Sequence, residues 1–136
     1  MASRSDIEKV MEAKIEELNA RKASIINYAS EKQLEERFRK HRMTARQRIE
    51  TLLDPGTFNE LDIFVTHHCT NFGMDKRNIP AEGVISGFGK IDGRQVFVYS
   101  QDFMALGGSF GEIHGNKILK VMQRALEAGA PVIGLL

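Results

Sequence analysis

The chain has 136 residues, 42% of them apolar, enough to bury one moderate core in a single domain. Its 19 basic and 18 acidic residues leave a net charge of +1, which excludes the strong basic field that gathers nucleic acid. One cysteine, Cys69, excludes an internal disulfide; residues 1–22 are too charged for a secretory signal, and the apolar run Ala128 to Leu136 is too short to cross a bilayer, so a soluble, cytoplasmic protein is expected.

Apolar residues recur at Ile7, Met11, Ile15, Leu18 and Ile25, a narrow stripe that predicts a helix from Ser5 to about Asn27. Such a stripe packs on its own domain or on a partner subunit. A membrane-surface helix fits less well, because acids and bases alternate on the polar side. A second helix is predicted from Glu31 and a third from Thr44, where Thr44 and Gln47 form a T-x-x-Q capping box ahead of Ile49, Leu52 and Leu53. Asp54-Pro55-Gly56 then supplies a stop. Residues 1–53 read as a helical region, and residues 54–136 as a unit of different character.

Two features in this stretch invite a functional reading. Arg37, Arg39, Lys40, Arg42, Arg46 and Arg48 follow one another with no acid between them. This is either a solvated helix face or a phosphate-binding patch, since guanidinium pairs bidentately with phosphate oxygens. Phe38 alone interleaves it, which argues against a single-strand nucleic-acid binder. His67, His68 and Cys69 suggest a metal, but adjacent histidines on a strand face opposite ways and no second ligand cluster follows. No metal site is expected, and Cys69 reads as a buried or half-buried small residue.

Beyond Pro80 the pattern turns to strands. Asp92-Gly93 between two β-prone runs predicts a hairpin. The second arm, Val96 to Tyr99, is apolar on both faces and reads as a central strand. Residues 112–128 predict a helix burying Ile118, Met122 and Ala125, with Leu119 and Leu126 alongside, closed by Gly129 and followed by Pro131. "PVIGLL" then begins another strand, which completes a βαβ crossover and makes the fold α/β. Gly107, Gly108, Gly111 and Gly115 cluster before the helix, where Ser109 and Glu112 form an S-x-x-E capping box. The glycines either make a tight strand-to-helix turn or admit an anionic or carbonyl-bearing ligand to a helix N-terminus. Neither GxxxxGK[ST] nor GxGxxG is present.

Three stretches, "MTARQRIETLLDPGTFNEL", "EGVISGFGKIDGRQVFVYSQDFMALGGS" and "KILKVMQRALEAGAPVIGL", resemble in order and spacing the carboxyltransferase β-subunits of biotin-dependent acyl-CoA carboxylases. Propionyl-CoA carboxylase β-chains are the nearest type, and the decarboxylase α-subunits acting on methylmalonyl-CoA and glutaconyl-CoA are similar through the same segments. The resemblance runs from Thr44 to Leu135. Met104 replaces a usual threonine, and "PAEG" at Pro80 to Gly83 replaces a usual Pro-Gly-Asp-Gly; both bear on acyl-chain specificity.

The resemblance implies a crotonase-like fold of ββα units. It implies transfer of a carboxyl group between carboxybiotin and the α-carbon of an acyl-CoA through an enolate, in a homo-oligomer served by a biotin carboxyl carrier and a biotin carboxylase subunit. Biotin then arrives on a partner, and the CoA thioester is the substrate. The loop carrying Phe103, Ala105, Leu106, Gly107, Gly108 and Ser109 is expected to lie against CoA. If the basic run meets the CoA phosphates, Arg46 and Arg48 are the expected contacts. Relatives continue after "PVIGL" with glycine-rich segments holding the oxyanion donors. The chain is therefore expected to be an N-terminal part without catalytic residues, inactive alone, with those donors beyond Leu136. A decarboxylase subunit and a non-catalytic binding or assembly module are the alternatives.

Overall fold

The computed structural model describes residues 4–136. Helices α1 (Arg4–Ile26), α2 (Glu31–Arg39) and α3 (Ala45–Leu52) precede strands β1 (Asn59–Leu61), β2 (Val84–Ile91) and β3 (Arg94–Gln101); α4 (Glu112–Ala128) and β4 (Val132–Leu135) complete the chain. The sheet order is β1-β2-β3-β4. β1, β2 and β3 pair antiparallel, and β4 joins β3 in parallel after the α4 crossover.

Local chemistry accounts for most element ends. Ser30 with Gln33, and Thr44 with Gln47, form reciprocal capping boxes at α2 and α3. The β2–β3 turn places Asp92 and Gly93 at φ 49° and 78°, the left-handed pair that a two-residue hairpin needs. The Asp54 carboxylate accepts the backbone N–H of both turn residues, at 3.0 and 2.9 Å, so the end of α3 is stapled to the hairpin tip.

Side chains of β3 fill both faces of the sheet, as its sequence predicts. Val96 and Val98 pack with Ile85 under Ala45, Ile49 and Leu53. Phe97 points the other way, onto Val121 and Ala125 of α4, and its ring lies 5.6 Å from that of Phe88. The result is a layer of α3, the sheet, and a layer of α4. α3 is thus part of the core of the strand-rich unit, although it counts with the helical residues 1–53 by composition.

Several expectations about packing and local structure need correction. The α1 stripe is largely uncovered on the described chain: Ile7, Met11 and Ile15 are more than half exposed and no α1 residue is buried, while the C-terminal end of the helix meets the Pro80–Gly83 turn, where Ile25 is half-buried. α4 buries His114, Lys117, Ile118, Val121 and Ala125, while Leu119, Met122 and Leu126 face outward. The helix is rotated because its first turns meet backbone carbonyls rather than apolar side chains, so polar residues occupy the inward face. Finally, α4 starts at Glu112 with Gly111 as N-cap and no side-chain cap, so Ser109 and Glu112 make no capping box. Ser109 instead closes a short 3-10 turn, donating its N–H to the Leu106 carbonyl. Cys69, expected to be buried or half-buried, is exposed, and His67 and His68 lie in irregular chain rather than a strand.

Arg46 of α3 binds Glu60 of β1 through both guanidinium nitrogens, at 2.8 and 3.2 Å, with the side chains only 20% and 11% exposed. Removing one partner leaves the other charge poorly solvated. Arg46→Ala is therefore expected to lower stability by about 1–3 kcal/mol, seen as an earlier urea midpoint with an unchanged slope. An unmoved midpoint would show the pair to be idle.

Candidate functional site

The site hangs from a turn at Pro80–Gly83. Ala81, Glu82 and Gly83 are all left-handed, with φ of 49°, 54° and 67°. For Ala81 and Glu82 that conformation costs about 1–2 kcal/mol each. Every carbonyl from Ala81 to Val84 nevertheless finds a donor. Lys117 Nζ donates to the Ala81 and Val84 carbonyls at 2.6 and 2.7 Å. His114 Nδ1 lies 3.0 Å from the Glu82 carbonyl, and the Asp102 N–H donates to the Gly83 carbonyl at 2.9 Å. A carbonyl can only accept, so His114 carries its proton on Nδ1; Nε2 is buried without a partner among the described residues. Burial holds the His114 pKa below the ordinary histidine value, with Lys117 adding to the effect, which favours the neutral ring.

Asp102 passes this order on to the glycine loop. It sits buried just after β3, where its carboxylate accepts the Tyr28 hydroxyl at 2.7 Å and the Met104 N–H at 3.0 Å. Burial, reinforced by the neighbouring Asp102 charge, pushes the Tyr28 pKa upward and keeps its hydroxyl a donor. The loop then runs through Leu106, Gly107 and Gly108, left-handed at φ 46°, 65° and 80°.

The two glycines do different things. A Cβ on Gly108 would stand 2.6 Å from the Phe103 ring, so the space left by Gly108 is filled from within the loop. A Cβ on Gly107 would meet nothing within 4 Å, and Gly107 is the glycine that faces open space. Gln33, Glu36, Arg37, Lys40 and Arg42 line a cavity with Phe103, Met104 and Gly107, and Lys40 is ion-paired there to Glu36 at 2.6 Å. A neighbouring cavity adds Arg48 and Met43 to Arg37, Arg42 and Phe103. The basic run and the loop, far apart in sequence, thus share one trough.

Of the arginines expected to meet phosphates, Arg46 is engaged with Glu60, while Arg48 lies in the trough and donates to the Leu136 carbonyl at 2.9 Å. Arg37 donates to the Met43 carbonyl, and the Arg42 guanidinium makes no hydrogen bond or ion pair among the described residues. Phe103 and Gly107 line the trough; Ala105, Leu106 and Ser109 line a separate cavity at the head of α4, together with Glu82. No group of three side chains suited to a metal occurs among the described residues, and no described helix is long and apolar enough to cross a membrane. Residue patterns missed Tyr28, Glu82, Asp102, His114 and Lys117. For His114 and Lys117 the visible signal was their place on one α4 face with Val121 and Ala125, polar at the start of the helix and apolar beyond.

The chain thus carries a ββα unit with a trough lined by basic residues beside a glycine loop. Residues 36–136 match the carboxyl transferase domain family, and the chain belongs to that family. It is 48% identical over 122 residues to the methylmalonyl-CoA decarboxylase subunit alpha of Propionigenium modestum, covering 90% of this chain and 24% of that one. It is 47% identical over 125 residues to the propionyl-CoA carboxylase carboxyltransferase subunit of Haloferax mediterranei, covering 92% and 24%. The transcarboxylase 12S structure with methylmalonyl-coenzyme A bound superposes with a TM-score of 0.88 at 39% identity, covering 98% of this chain and 25% of that one. The chain spans about a quarter of the length of these relatives. The resemblance carried by the three motifs is borne out, and the fold is the crotonase-like carboxyltransferase fold.

Lys117 gives this arrangement a pH signature. Burial lowers its pKa from 10.5 to about 8, against the pull of Glu60, Asp62 and Glu82. Between those values the unfolded chain holds a proton that the folded chain does not, so this group makes stability rise with pH across the window. Lys117→Met is expected to remove that rise and to lower stability at neutral pH by taking the side-chain donor from the Ala81 and Val84 carbonyls, the first of which keeps only the Val84 N–H. Urea melts from pH 7 to 10.5 measure both; parallel pH profiles for parent and variant would refute the assignment.

Proposed function

We propose that this chain supplies the acyl-CoA-binding part of a biotin-dependent carboxyltransferase. The carboxyl group leaves a ureido nitrogen of biotin, brought as substrate by a carrier protein, and joins the α-carbon of the acyl-CoA. The α-carbon gives up its proton, the thioester oxygen carries the resulting enolate charge, the carboxyl carbon parts from the nitrogen and bonds to the α-carbon, and the ureido nitrogen takes up the proton. The residues of this chain bind and position. Arg37, Lys40, Arg42 and Arg48 would face the phosphates, and Phe103 to Ser109 would lie along the rest of the molecule.

The observation that carries this reading is the convergence of the basic run with Phe103, Met104 and Gly107 on one trough. Guanidinium groups suit phosphate oxygens, and an open glycine lets a bulky ligand approach the backbone. The family match supports it, as does the methylmalonyl-coenzyme A bound in the similar transcarboxylase 12S structure. Propionyl-CoA and methylmalonyl-CoA are the substrate pair that the similar proteins' names suggest. Decarboxylase relatives match over the same region, which favours a second reading in which the transfer runs the other way: the bond to the α-carbon breaks, the carboxyl group passes to the biotin nitrogen and a proton takes its place on carbon.

Biotin carboxyl carrier and biotin carboxylase components follow as partners. So does self-assembly, which would cover the α1 stripe at Ile7, Met11 and Ile15; transcarboxylase 12S itself assembles as a hexamer.

The test uses the complete protein. Affinity for propionyl-CoA should fall as salt rises, and Arg42→Ala should both weaken binding, by about tenfold, and flatten that salt dependence. Carboxyl exchange between methylmalonyl-CoA and biotin should accompany binding. Salt-independent affinity shared by parent and variant would remove the phosphate assignment, and absence of exchange in the assembled protein would remove the activity.

A further inference from the structure

The cavity at the head of α4, about 380 Å³, lies on the far side of the glycine loop from the basic trough. Ala105, Leu106, Ser109 and Gly111, the N-cap of α4, line it, together with Glu112 and His67. Glu82 also lines it. That side chain is only 7% exposed, and its Oε2 has no partner among the described residues. A Cβ on Gly111 would stand 3.5 Å from Glu82 Oε1, so the carboxylate lies across the start of the helix.

A buried carboxylate oxygen is costly without a donor. Its own chain supplies none here, although the same turn satisfies all four of its backbone carbonyls. The cavity therefore offers two complementary things side by side: an acceptor, Glu82 Oε2, and the donor end of a 17-residue helix whose first turn has no side-chain cap. One chemical group uses both at once, an amide or urea, whose N–H meets the carboxylate while its C=O meets the helix N–H groups.

Resting on the proposed function, we propose that Glu82 is a specificity-determining residue that accepts the N–H of an amide in the pantetheine arm of the bound acyl-CoA. The loop argues for this arm over biotin's urea. Phe103 and Gly107 line the basic trough, while Ala105, Leu106 and Ser109 line the Glu82 cavity. A molecule with its phosphates in the trough and its arm over Gly107 reaches the second cavity along a single loop. His114 acts here as a positioning residue, since its Nδ1–H holds the Glu82 carbonyl and fixes the direction in which the side chain leaves the turn.

The experiment is calorimetric titration of the complete protein and its Glu82→Gln variant with three probes: propionyl-CoA, adenosine 3′-phosphate 5′-diphosphate, and biocytin. Glutamine keeps the shape and removes the charge-assisted hydrogen bond, so propionyl-CoA affinity should fall about tenfold while the nucleotide, which has no pantetheine, binds unchanged. Equal propionyl-CoA affinities in parent and variant would overturn the assignment alone. A parent that binds no propionyl-CoA would overturn the proposed function as well. Equal losses for propionyl-CoA and the nucleotide would show general damage rather than amide recognition and would also count against it. A loss confined to biocytin would move Glu82 to the carboxyl donor and refute the pantetheine assignment.

Discussion

Four backbone carbonyls, from Ala81 to Val84, leave a turn in which three consecutive residues are left-handed, and each is bound by a group from elsewhere in the chain. Two of those residues, Ala81 and Glu82, carry side chains that the left-handed region disfavours. A strained turn of this kind persists only where its surroundings over-determine it. Each carbonyl left unpaired in this buried setting would cost about 1–3 kcal/mol, comparable to the strain itself. The inward-facing polar residues of α4 are thus a structural requirement. His114 and Lys117 sit one turn apart on the helix because two separate stretches of carbonyl need donors at that spacing.

The same anchor sets the geometry of everything around the loop. Asp102 is hydrogen-bonded through its backbone to the turn and through its carboxylate to both Tyr28 and Met104. The segment between α1 and α2 is thereby tied to the end of β3, and the basic residues that follow are carried to one side of Phe103 and Gly107. On the other side, the turn delivers Glu82 to the head of α4. A single network of short-range contacts therefore orders a trough rich in cations and a cavity holding a carboxylate, separated by a loop that is left-handed at Leu106, Gly107 and Gly108. Apart from Glu82 Oε2 and His114 Nε2, which have no partner among the described residues, the polar groups of this network are satisfied within the chain, an order that would lower the cost of binding a ligand there.

Much of the fold was legible because its signals are local. Asp92-Gly93 specifies its turn by backbone preference, Thr44 with Gln47 caps α3 within one helical turn, and Gly129 ends α4 in the left-handed conformation. The covered faces of β3 followed from an unbroken apolar run. The errors were all tertiary. Met122 and Leu126 look like core residues until carbonyls from the 81–84 turn claim that face for Lys117. Ser109 has the spacing of a cap, but the 3-10 turn at Leu106–Gly108 places it before the helix, and Glu82 lies beside Gly111 instead. Arg46 belongs to a basic run by sequence and to an ion pair with Glu60 by structure. Glu82 and Asp102 were invisible because their roles depend on groups brought from 32 and 74 residues away, His114 and Tyr28.

The central claim is that α4 holds the 81–84 turn and, through it, the loop beyond Asp102. Native-state hydrogen exchange, followed amide by amide in the parent and in Lys117→Met, tests it most directly. Loss of the Nζ contacts should release the turn, so the amides of Asp102, Met104 and Ala105 should exchange faster while those of Val96 to Val98 in β3 keep their protection. Unchanged exchange at Asp102 and Met104, or equal loss across β3 and the loop, would contradict the account.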